Sequence, residues 1–237
     1  MIRLTEIETY GWETAIRGMR NPMNSWGNSD SGYCNDTSIR DVKCQNCEYV
    51  DPENNGSDGC TIVCHNFNED DVLVLGDNDL KLMRQLAAAG SDHGKYLRMI
   101  NVTMDIEAPL YWWKEFDTYK VGTVANSCST MHKIQAKEFT LADFSTDHLS
   151  QTNLIIMDMV ISALNNARLD FLGNKDKRDW WQMIQLLPSS YNQKRTVQLN
   201  YAVLRNIYHA RKGHKLDEWY EFCRCVEALP YSELITE

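Results

Sequence analysis

The sequence lacks the features that mark several large classes of proteins. No apolar run approaches the roughly 18 residues that a membrane-spanning helix needs. Charges occur from the third position onward, so the opening residues do not form the apolar core of a signal peptide. The net charge is −9, which argues against the basic surface that nucleic-acid binding requires. We therefore expect a cytoplasmic protein that contacts neither membranes nor nucleic-acid polymers, although a local pocket for a small phosphorylated ligand is compatible with this charge.

Cysteine, by contrast, is abundant and unevenly distributed. Eight cysteines occur in 237 residues, and five of them lie between Cys34 and Cys64. Because nothing indicates secretion, a disulfide framework is not expected. The pairs Cys44/Cys47 and Cys60/Cys64 resemble the two knuckles of a four-thiolate zinc site. A polar surface insertion with free thiols is the alternative, and a disulfide or a mixed thiolate–histidine set also stays open.

The length of the chain is sufficient for one substantial domain. A stretch rich in Asn, Ser, Gly and Asp predicts a long insertion at residues 21–70, and so long a loop is usually functional or stapled by a metal. Alternation of apolar and polar residues predicts a half-buried strand over residues 97–107. Apolar spacing, caps and breakers predict helices at 4–19, 77–90, 109–116, 150–172, 176–187, 197–211 and 214–229.

Two polar segments that are distant in the sequence could bind a ligand. Small hydroxyl and amide residues follow Gly122, and such a segment can offer backbone amides and hydroxyls to a phosphate. In the second segment Asn200 and Arg211 are eleven residues apart, which places both on one helix face about 16 Å apart. The alternatives are an ordinary turn in the first segment and, in the second, a helix-end cation that interacts with the macrodipole.

The first of these segments resembles the signature region of the flavin-dependent thymidylate synthases. In that family a strand and a proline lead to an Arg-His-Arg signature. Here the alternating strand and Pro109 keep the same register, which places Thr118, Tyr119 and Lys120 at the signature positions.

The second segment resembles the C-terminal motif of the same family more closely. The family's Leu-Pro pair, its helix asparagine that contacts flavin and its helix arginine that binds the nucleotide match Leu187, Pro188, Asn200 and Arg211 at the same intervals. The resemblance covers roughly residues 75–230.

This resemblance implies a fold, an activity and a set of ligands. The fold is α/β (α+β), a twisted sheet packed with helices in one domain over residues 1–237, with the cysteine-rich insertion at 21–70. The activity is reductive transfer of a one-carbon unit from methylenetetrahydrofolate to dUMP or a related pyrimidine nucleotide, with FAD as the cofactor and NADPH as the reductant. The assembly is a homotetramer that binds FAD between subunits, and zinc in the insertion would be structural.

The resemblance also implies which residues contact the ligands. The residues expected to bind the nucleotide substrate are Arg211, Ser129, Thr130 and Glu115. Those expected on the flavin or folate side are Asn200, Lys120, Tyr119, Thr118 and Asn126. No side chain is assigned a catalytic role, because hydride-based chemistry on a flavin needs no protein nucleophile.

The departures from the family pattern limit this interpretation. Two of the three charged signature residues are replaced, by Thr118 and Tyr119, and an arginine is reduced to Lys120, which loses the planar bidentate fork. Glu115 stands where the family has glutamine and would repel a phosphate unless it is protonated or paired, and Met131 replaces a nucleotide-binding arginine. The alternative is therefore a non-catalytic or repurposed relative that keeps nucleotide binding without flavin chemistry. A zinc-stabilised interaction module, suggested only by the cysteine insertion, is a third possibility.

Two further features near the signature have more than one interpretation. Cys128 could attack a pyrimidine ring if a cation such as His132 activated its thiol, or it could be an inert turn residue. The aromatic pair Trp112 and Trp113 is more typical of a hydrophobic core than of a platform for a flavin.

Overall fold

The computed structural model describes residues 2–33 and 73–237, which form two compact units. Of these described residues, 2–9 and 101–236 belong to one unit, and 10–33, 73–100 and 237 belong to the other. The elements of the first unit are β1 (Arg3–Tyr10), β4 (Asn101–Pro109), α3 (Leu110–Phe116), β5 (Val124–Ser127), α4 (Gln151–Asn174), α5 (Lys177–Leu186), β6 (Asn192–Asn200), α6 (Tyr201–Arg211), α7 (Asp217–Glu227) and α8 (Glu233–Thr236). Those of the second are α1 (Trp12–Arg20), β2 (Gly32–Tyr33), β3 (Leu73–Val74) and α2 (Asp77–Ala88).

A four-stranded sheet with the order β1-β4-β6-β5 organises the first unit. Strands β4 and β6 are antiparallel and pair along their whole length, from Asn101 opposite Asn200 to Pro109 opposite Asn192. Strand β5 runs antiparallel to the other edge of β6. Apolar side chains of β4 alternate into the core, as the period of two in the sequence predicts. Helices pack around this sheet, which confirms the predicted α/β fold class.

The helix predicted over residues 4–19 is wrong in its first half. Residues 3–10 form strand β1, and helix α1 begins only at Trp12. Gly11 separates the two elements with φ +93°, a left-handed conformation that suits glycine and interrupts any continuous helix. The apolar spacing of the segment fits a helix, but Thr5, Ile7 and Thr9 are β-branched and suit a strand that pairs within a sheet.

The helix predicted from residue 197 also begins too early. Residues 192–200 form the central strand β6, and helix α6 starts at Tyr201. Val197 and Leu199 are almost fully buried in the strand, where pairing with β4 and β5 overrides the helical pattern that follows. Asn200 is consequently the N-cap of α6, and its side-chain oxygen accepts a hydrogen bond from the amide of Val203 at 3.1 Å.

Helix α4 supplies one wall of the core in the first unit. One face of this 24-residue helix is buried with residues from the loop before it and from α5. Its opposite face leaves large apolar side chains exposed, namely Ile155, Ile156, Met159, Leu169 and Leu172. The predicted long apolar helix is therefore confirmed, with only part of its apolar surface used inside the chain.

In the second unit a buried ion pair joins the two sequence segments that flank the insertion. The Nε of Arg20 lies 2.7 Å from Oδ1 of Asp79, and Asp79 has no exposed surface. The other carboxylate oxygen of Asp79 accepts hydrogen bonds from Ser29, Asp30 and Ser31. Next to this cluster β2 pairs antiparallel with β3.

The insertion itself falls mostly outside the described residues. Of the range 21–70, the structure describes residues 21–33, which form two short 3-10 turns, Asn21–Met23 and Trp26–Asn28, and strand β2. Both the boundary of the insertion and the single domain over residues 1–237 stay predictions. Within the described ranges, no helix is long and apolar enough to cross a membrane.

Candidate functional site

Arg211 is the residue at which the two predicted segments meet. It is the last residue of α6, and its side chain is 19% exposed. Its Nε donates to the hydroxyl of Tyr119 at 2.8 Å, and its Nη1 lies 2.8 Å from Oε2 of Glu115. Three residues that the sequence assigned to the ligand site therefore lie in direct contact, although they come from segments distant in the chain.

Glu115 lies at the centre of a group of nitrogen atoms. Besides Arg211, its Oε2 accepts a hydrogen bond from Nε1 of Trp219 at 2.9 Å, and Nε2 of His214 lies 3.3 Å away. The expectation that Glu115 must be protonated or paired is met, because Arg211 is its counter-ion. The guanidinium that is expected to bind the nucleotide is therefore already paired with a carboxylate.

Aromatic rings hold the Arg211 guanidinium from two sides. Its Cζ lies 4.9 Å from the ring centroid of Trp219 and 5.6 Å from that of Tyr119, within the range of cation–π attraction. Trp219 in turn packs on Trp112 with centroids 4.7 Å apart. Trp112 and Trp113 are almost fully buried, which confirms that they form core and leaves no flavin platform there.

A side-chain hydrogen bond between α3 and α7 fixes the positions of the two helices that carry Glu115 and Trp219. Tyr111, one turn before Glu115, donates its hydroxyl proton to the carboxylate of Glu218, which is 7% exposed. Burial raises the pKa of Tyr111, and the neighbouring carboxylate of Glu218 raises it further, so the phenol stays protonated and the bond persists. The position of Glu115 relative to Trp219 is thus set by packing and by this bond.

At the other end of α6, Asn200 lies against the turn that follows the signature positions. Gly122 has φ +79°, and a Cβ placed on it would come within 3.1 Å of both Asn200 Nδ2 and Val203 Cγ2. The close approach and the left-handed backbone both require glycine. Among the described residues, the hydroxyl of neighbouring Thr123 is a buried polar atom without a hydrogen-bond partner. Such an atom suits a polar group of a ligand.

The three signature positions have different local roles. The hydroxyl of Thr118 donates to the carbonyl of Glu115 at 2.7 Å, a carbonyl at the end of α3 that also accepts from the amide of Thr118 at 3.1 Å. Tyr119 holds Arg211, and Lys120 is exposed. Of the three side chains, Lys120 exposes a cation to solvent, and Tyr119 accepts a hydrogen bond from the cation of Arg211.

The remaining predicted residues lie on β5 and in the turn after it. Asn126 is exposed on β5 and is paired with Thr196 of β6. The hydroxyl of Ser129 accepts hydrogen bonds from the amides of Met131 and His132, at 3.2 and 2.8 Å, and so closes a turn. The hydrogen bonds described for Ser129 and for Arg211 do not join these two residues to each other.

A second arginine–acid pair lies beside the site and was not found from the sequence. Arg195 of β6 places Nη1 2.7 Å from Oδ1 of Asp117, and its Cζ stacks 4.0 Å from the ring centroid of Trp113. Its Nε donates to the side chain of Gln193 at 3.0 Å. With these contacts and 14% exposure, Arg195 is a structural cation that ties β6 to the end of α3.

The cysteines differ in their surroundings. Cys128 follows β5 and is exposed, whereas Cys223 is buried and Cys225 is partly buried. Burial raises the pKa of Cys223 and Cys225 to about 11, so both stay protonated near neutral pH. Of these three thiols Cys128 is the accessible one, and its proposed nucleophilic role stays a prediction.

The predicted zinc site depends on four cysteines of the insertion. Cys44, Cys47, Cys60 and Cys64 lie outside the described residues. Across residues 2–33 and 73–237, no group of three or more His, Cys, Asp or Glu side chains is arranged to hold a metal ion. The zinc site therefore stays a prediction, which elemental analysis of the protein and of a Cys44→Ser variant would test.

Sequence reasoning missed His214 and Trp219 as partners of Glu115. Both follow Arg211 within one short loop and the first turn of α7, in a segment whose basic residues are followed by two acidic ones. Their proximity to Arg211 in the chain was the available signal. Glu115 accepts from these residues only because α3 packs beside them. A local sequence pattern does not predict how two helices pack together.

Comparisons with known proteins identify the architecture. No protein-family model matches the sequence, and no curated protein matches it. Among solved structures, ThyX, a flavin-dependent thymidylate synthase from Helicobacter pylori in complex with FAD and dUMP, superposes with a TM-score of 0.61 at 16% identity, covering 98% of each chain. A second structure of Helicobacter pylori Thymidylate Synthase X with FAD and dUMP has a TM-score of 0.61 at 14% identity, covering 100% of this chain and 97% of that one. The chain therefore has the fold of the ThyX flavin-dependent thymidylate synthases.

Proposed function

We propose that this protein is a flavin-dependent thymidylate synthase-like enzyme that binds FAD and a pyrimidine nucleotide. The observation that carries the proposal is the contact of Glu115 and Tyr119 with Arg211, together with the packing of Gly122 against Asn200, the N-cap of the helix that ends at Arg211. The sequence resemblance marks these positions independently of the fold, and the fold matches that of enzymes solved with FAD and dUMP. The reaction would be reductive transfer of a one-carbon unit from methylenetetrahydrofolate to dUMP or a related nucleotide, with NADPH as reductant.

The residues present fit these ligands in part. The Asn200 amide and the unpartnered Thr123 hydroxyl are neutral groups suited to hydrogen bonds with an isoalloxazine or a ribityl chain. Lys120, two residues before Gly122 in the chain, is an exposed cation and can interact with a diphosphate. Arg211 would bind the nucleotide phosphate at the opposite end of α6, about 16 Å away. FAD, when bound, would supply the redox chemistry, and the protein would orient the two ligands and exclude water.

One observation favours the alternative, a relative that binds a nucleotide without flavin chemistry. The family's cationic signature is reduced here to Lys120, and two arginines from other segments, Arg195 and Arg211, are each paired with an acidic residue at the end of α3. Fewer free cations mean weaker electrostatic attraction for the FAD diphosphate. On this alternative the Arg211 end of α6 would bind the nucleotide while the Asn200 end would carry no redox cofactor.

The absorption spectrum of the purified protein separates these two functions. The enzyme proposal predicts a yellow protein, or one that takes up added FAD with a change in the flavin spectrum, and dUMP binding detectable by calorimetry. A protein that binds dUMP but leaves the spectrum and fluorescence of added FAD unchanged would favour the alternative. Absence of binding to both ligands would contradict both functions.

We also propose that the chain forms a homo-oligomer, a tetramer as the resemblance implies. The exposed apolar side chains of α4 support this, because so many large apolar groups on one helix face mark an interaction surface. Light scattering on the purified protein would measure the assembly. A monomer at micromolar concentration would contradict the proposal.

A further inference from the structure

Glu115 and Arg211 form a partly buried ion pair at the end of the proposed nucleotide site. Their side chains are 33% and 19% exposed, so water and salt screen the pair less than they screen a surface pair. The guanidinium has already lost much of its hydration and has its charge balanced by a carboxylate at 2.8 Å. A second anion gains less from such a cation than from an unpaired one.

We propose that Glu115 is an internal counter-ion of Arg211 with which an anionic ligand must compete, so that Glu115 sets the affinity of the site for phosphorylated ligands. This inference rests on the proposed nucleotide site and adds a residue that tunes its preference between charged and uncharged ligands. The carboxylate lowers affinity for the phosphate without closing the site.

The carboxylate of Glu115 would keep hydrogen-bond donors around it if it lost its contact with Arg211. The indole Nε1 of Trp219 donates to the same Oε2 at 2.9 Å, and Nε2 of His214 lies 3.3 Å from it. Two nitrogens therefore remain to hold the carboxylate when a phosphate takes the guanidinium. Tyr119 can keep its bond to Nε of Arg211, since arginine has donors for several partners at once.

The neighbouring Asp117 provides a matched comparison. It also lies at the end of α3 and also pairs with an arginine, but its partner is Arg195, which stacks on Trp113. Glu115→Gln and Asp117→Asn each remove one negative charge from nearly the same place. Only the first frees Arg211, and glutamine keeps an oxygen that can accept from Trp219.

Calorimetric titration with dUMP and with deoxyuridine tests the inference. We expect Glu115→Gln to bind dUMP about tenfold more tightly than the wild-type protein, equivalent to about 1.4 kcal/mol. Deoxyuridine, which lacks the phosphate, should bind the two proteins with affinities within about twofold, and Asp117→Asn should leave dUMP affinity within the same range. In an Arg211→Ala background, the gain from Glu115→Gln should be smaller, because no guanidinium remains to be freed and only the repulsion between the carboxylate and the phosphate is relieved.

Several outcomes would overturn the inference while sparing the proposed function. One is that the wild-type protein binds dUMP and Glu115→Gln binds it no more tightly. The others are that Glu115→Gln gains as much affinity for deoxyuridine as for dUMP, or that Asp117→Asn gains as much affinity for dUMP as Glu115→Gln does. No dUMP binding by any variant would overturn both. Melting temperatures show whether each variant is folded, and Glu115→Ala serves as a second charge-removing variant if the glutamine variant is unstable.

Discussion

Asp79→Asn should destabilise the second unit by about 3–5 kcal/mol, the usual cost of breaking a buried ion pair from one side. Asp79 has no exposed surface, and one of its oxygens accepts from Arg20 while the other accepts from Ser29, Asp30 and Ser31. An asparagine at this position would point its NH2 group at one of these two sets of hydrogen-bond donors, where it cannot accept a hydrogen bond. Arg20 is also left buried without a balancing charge. Chemical denaturation of the two proteins would measure the loss.

The same carboxylate predicts a dependence on pH. Burial alone would raise the pKa of Asp79, but hydrogen bonds from Ser31, Ser29 and Arg20 outweigh burial and lower the pKa below its ordinary value of 3.8. A group with a lowered pKa in the folded state contributes stability above its unfolded pKa, and this contribution is lost as the pH falls through the folded value. The difference in stability between wild type and Asp79→Asn should therefore be constant near neutral pH and shrink below about pH 3.8.

Glu13→Gln is a suitable control for this prediction. Glu13 is exposed in the first turn of α1, so its substitution should change the free energy of unfolding by less than about 0.5 kcal/mol. If Asp79→Asn costs no more than this control, the buried pair does not hold the segments on either side of the insertion together.

Arg211→Ala should lower the affinity for dUMP between about tenfold and a hundredfold. A charge-assisted hydrogen bond to a phosphate contributes about 1.5–3 kcal/mol, and each 1.4 kcal/mol corresponds to a factor of ten. The variant also leaves Glu115 with Trp219 and His214 but without its counter-ion, which adds a local negative charge to the site. Calorimetric titration with dUMP would measure the change.

Lys212→Ala provides the matched control for Arg211. It removes the same charge one residue further on, from an exposed side chain whose ammonium lies 5.9 Å from the ring centroid of Tyr208. Its affinity for dUMP should stay within about threefold of wild type, since a solvent-exposed charge contributes little. Equal losses in the two variants would show that general electrostatic attraction, and not a contact with Arg211, accounts for binding.

The sequence predicted most elements of the fold but missed those that depend on distant partners. The long helix α4 and strand β4 each carry a clear period over many residues, and both were found. Strand β1 and the last residues of β6 were assigned to helices because their apolar spacing fits a helical period as well. Pairing with β4 decides between the two conformations, and a local pattern contains no information about that pairing.

The binding roles of the site residues stay predictions, but the structure shows which of these residues lie close together. The intervals in the chain placed Asn200, Gly122 and Arg211 correctly near the changed signature, since these intervals reflect the geometry of one helix and one turn. They did not show that Glu115 pairs with Arg211, because that contact requires α3 to dock beside α6 and α7. The pairing of Glu115 with Arg211 is therefore a property of the folded chain that its sequence intervals do not reveal.

Release of tritium from dUMP labelled at C5 tests the central claim most directly. The assay combines the purified protein, reconstituted with FAD, with labelled dUMP, methylenetetrahydrofolate and NADPH. The account predicts release that depends on all four components and that falls sharply in Arg211→Ala but not in Lys212→Ala. No release from a folded protein at saturating ligand concentrations would contradict the enzymatic function.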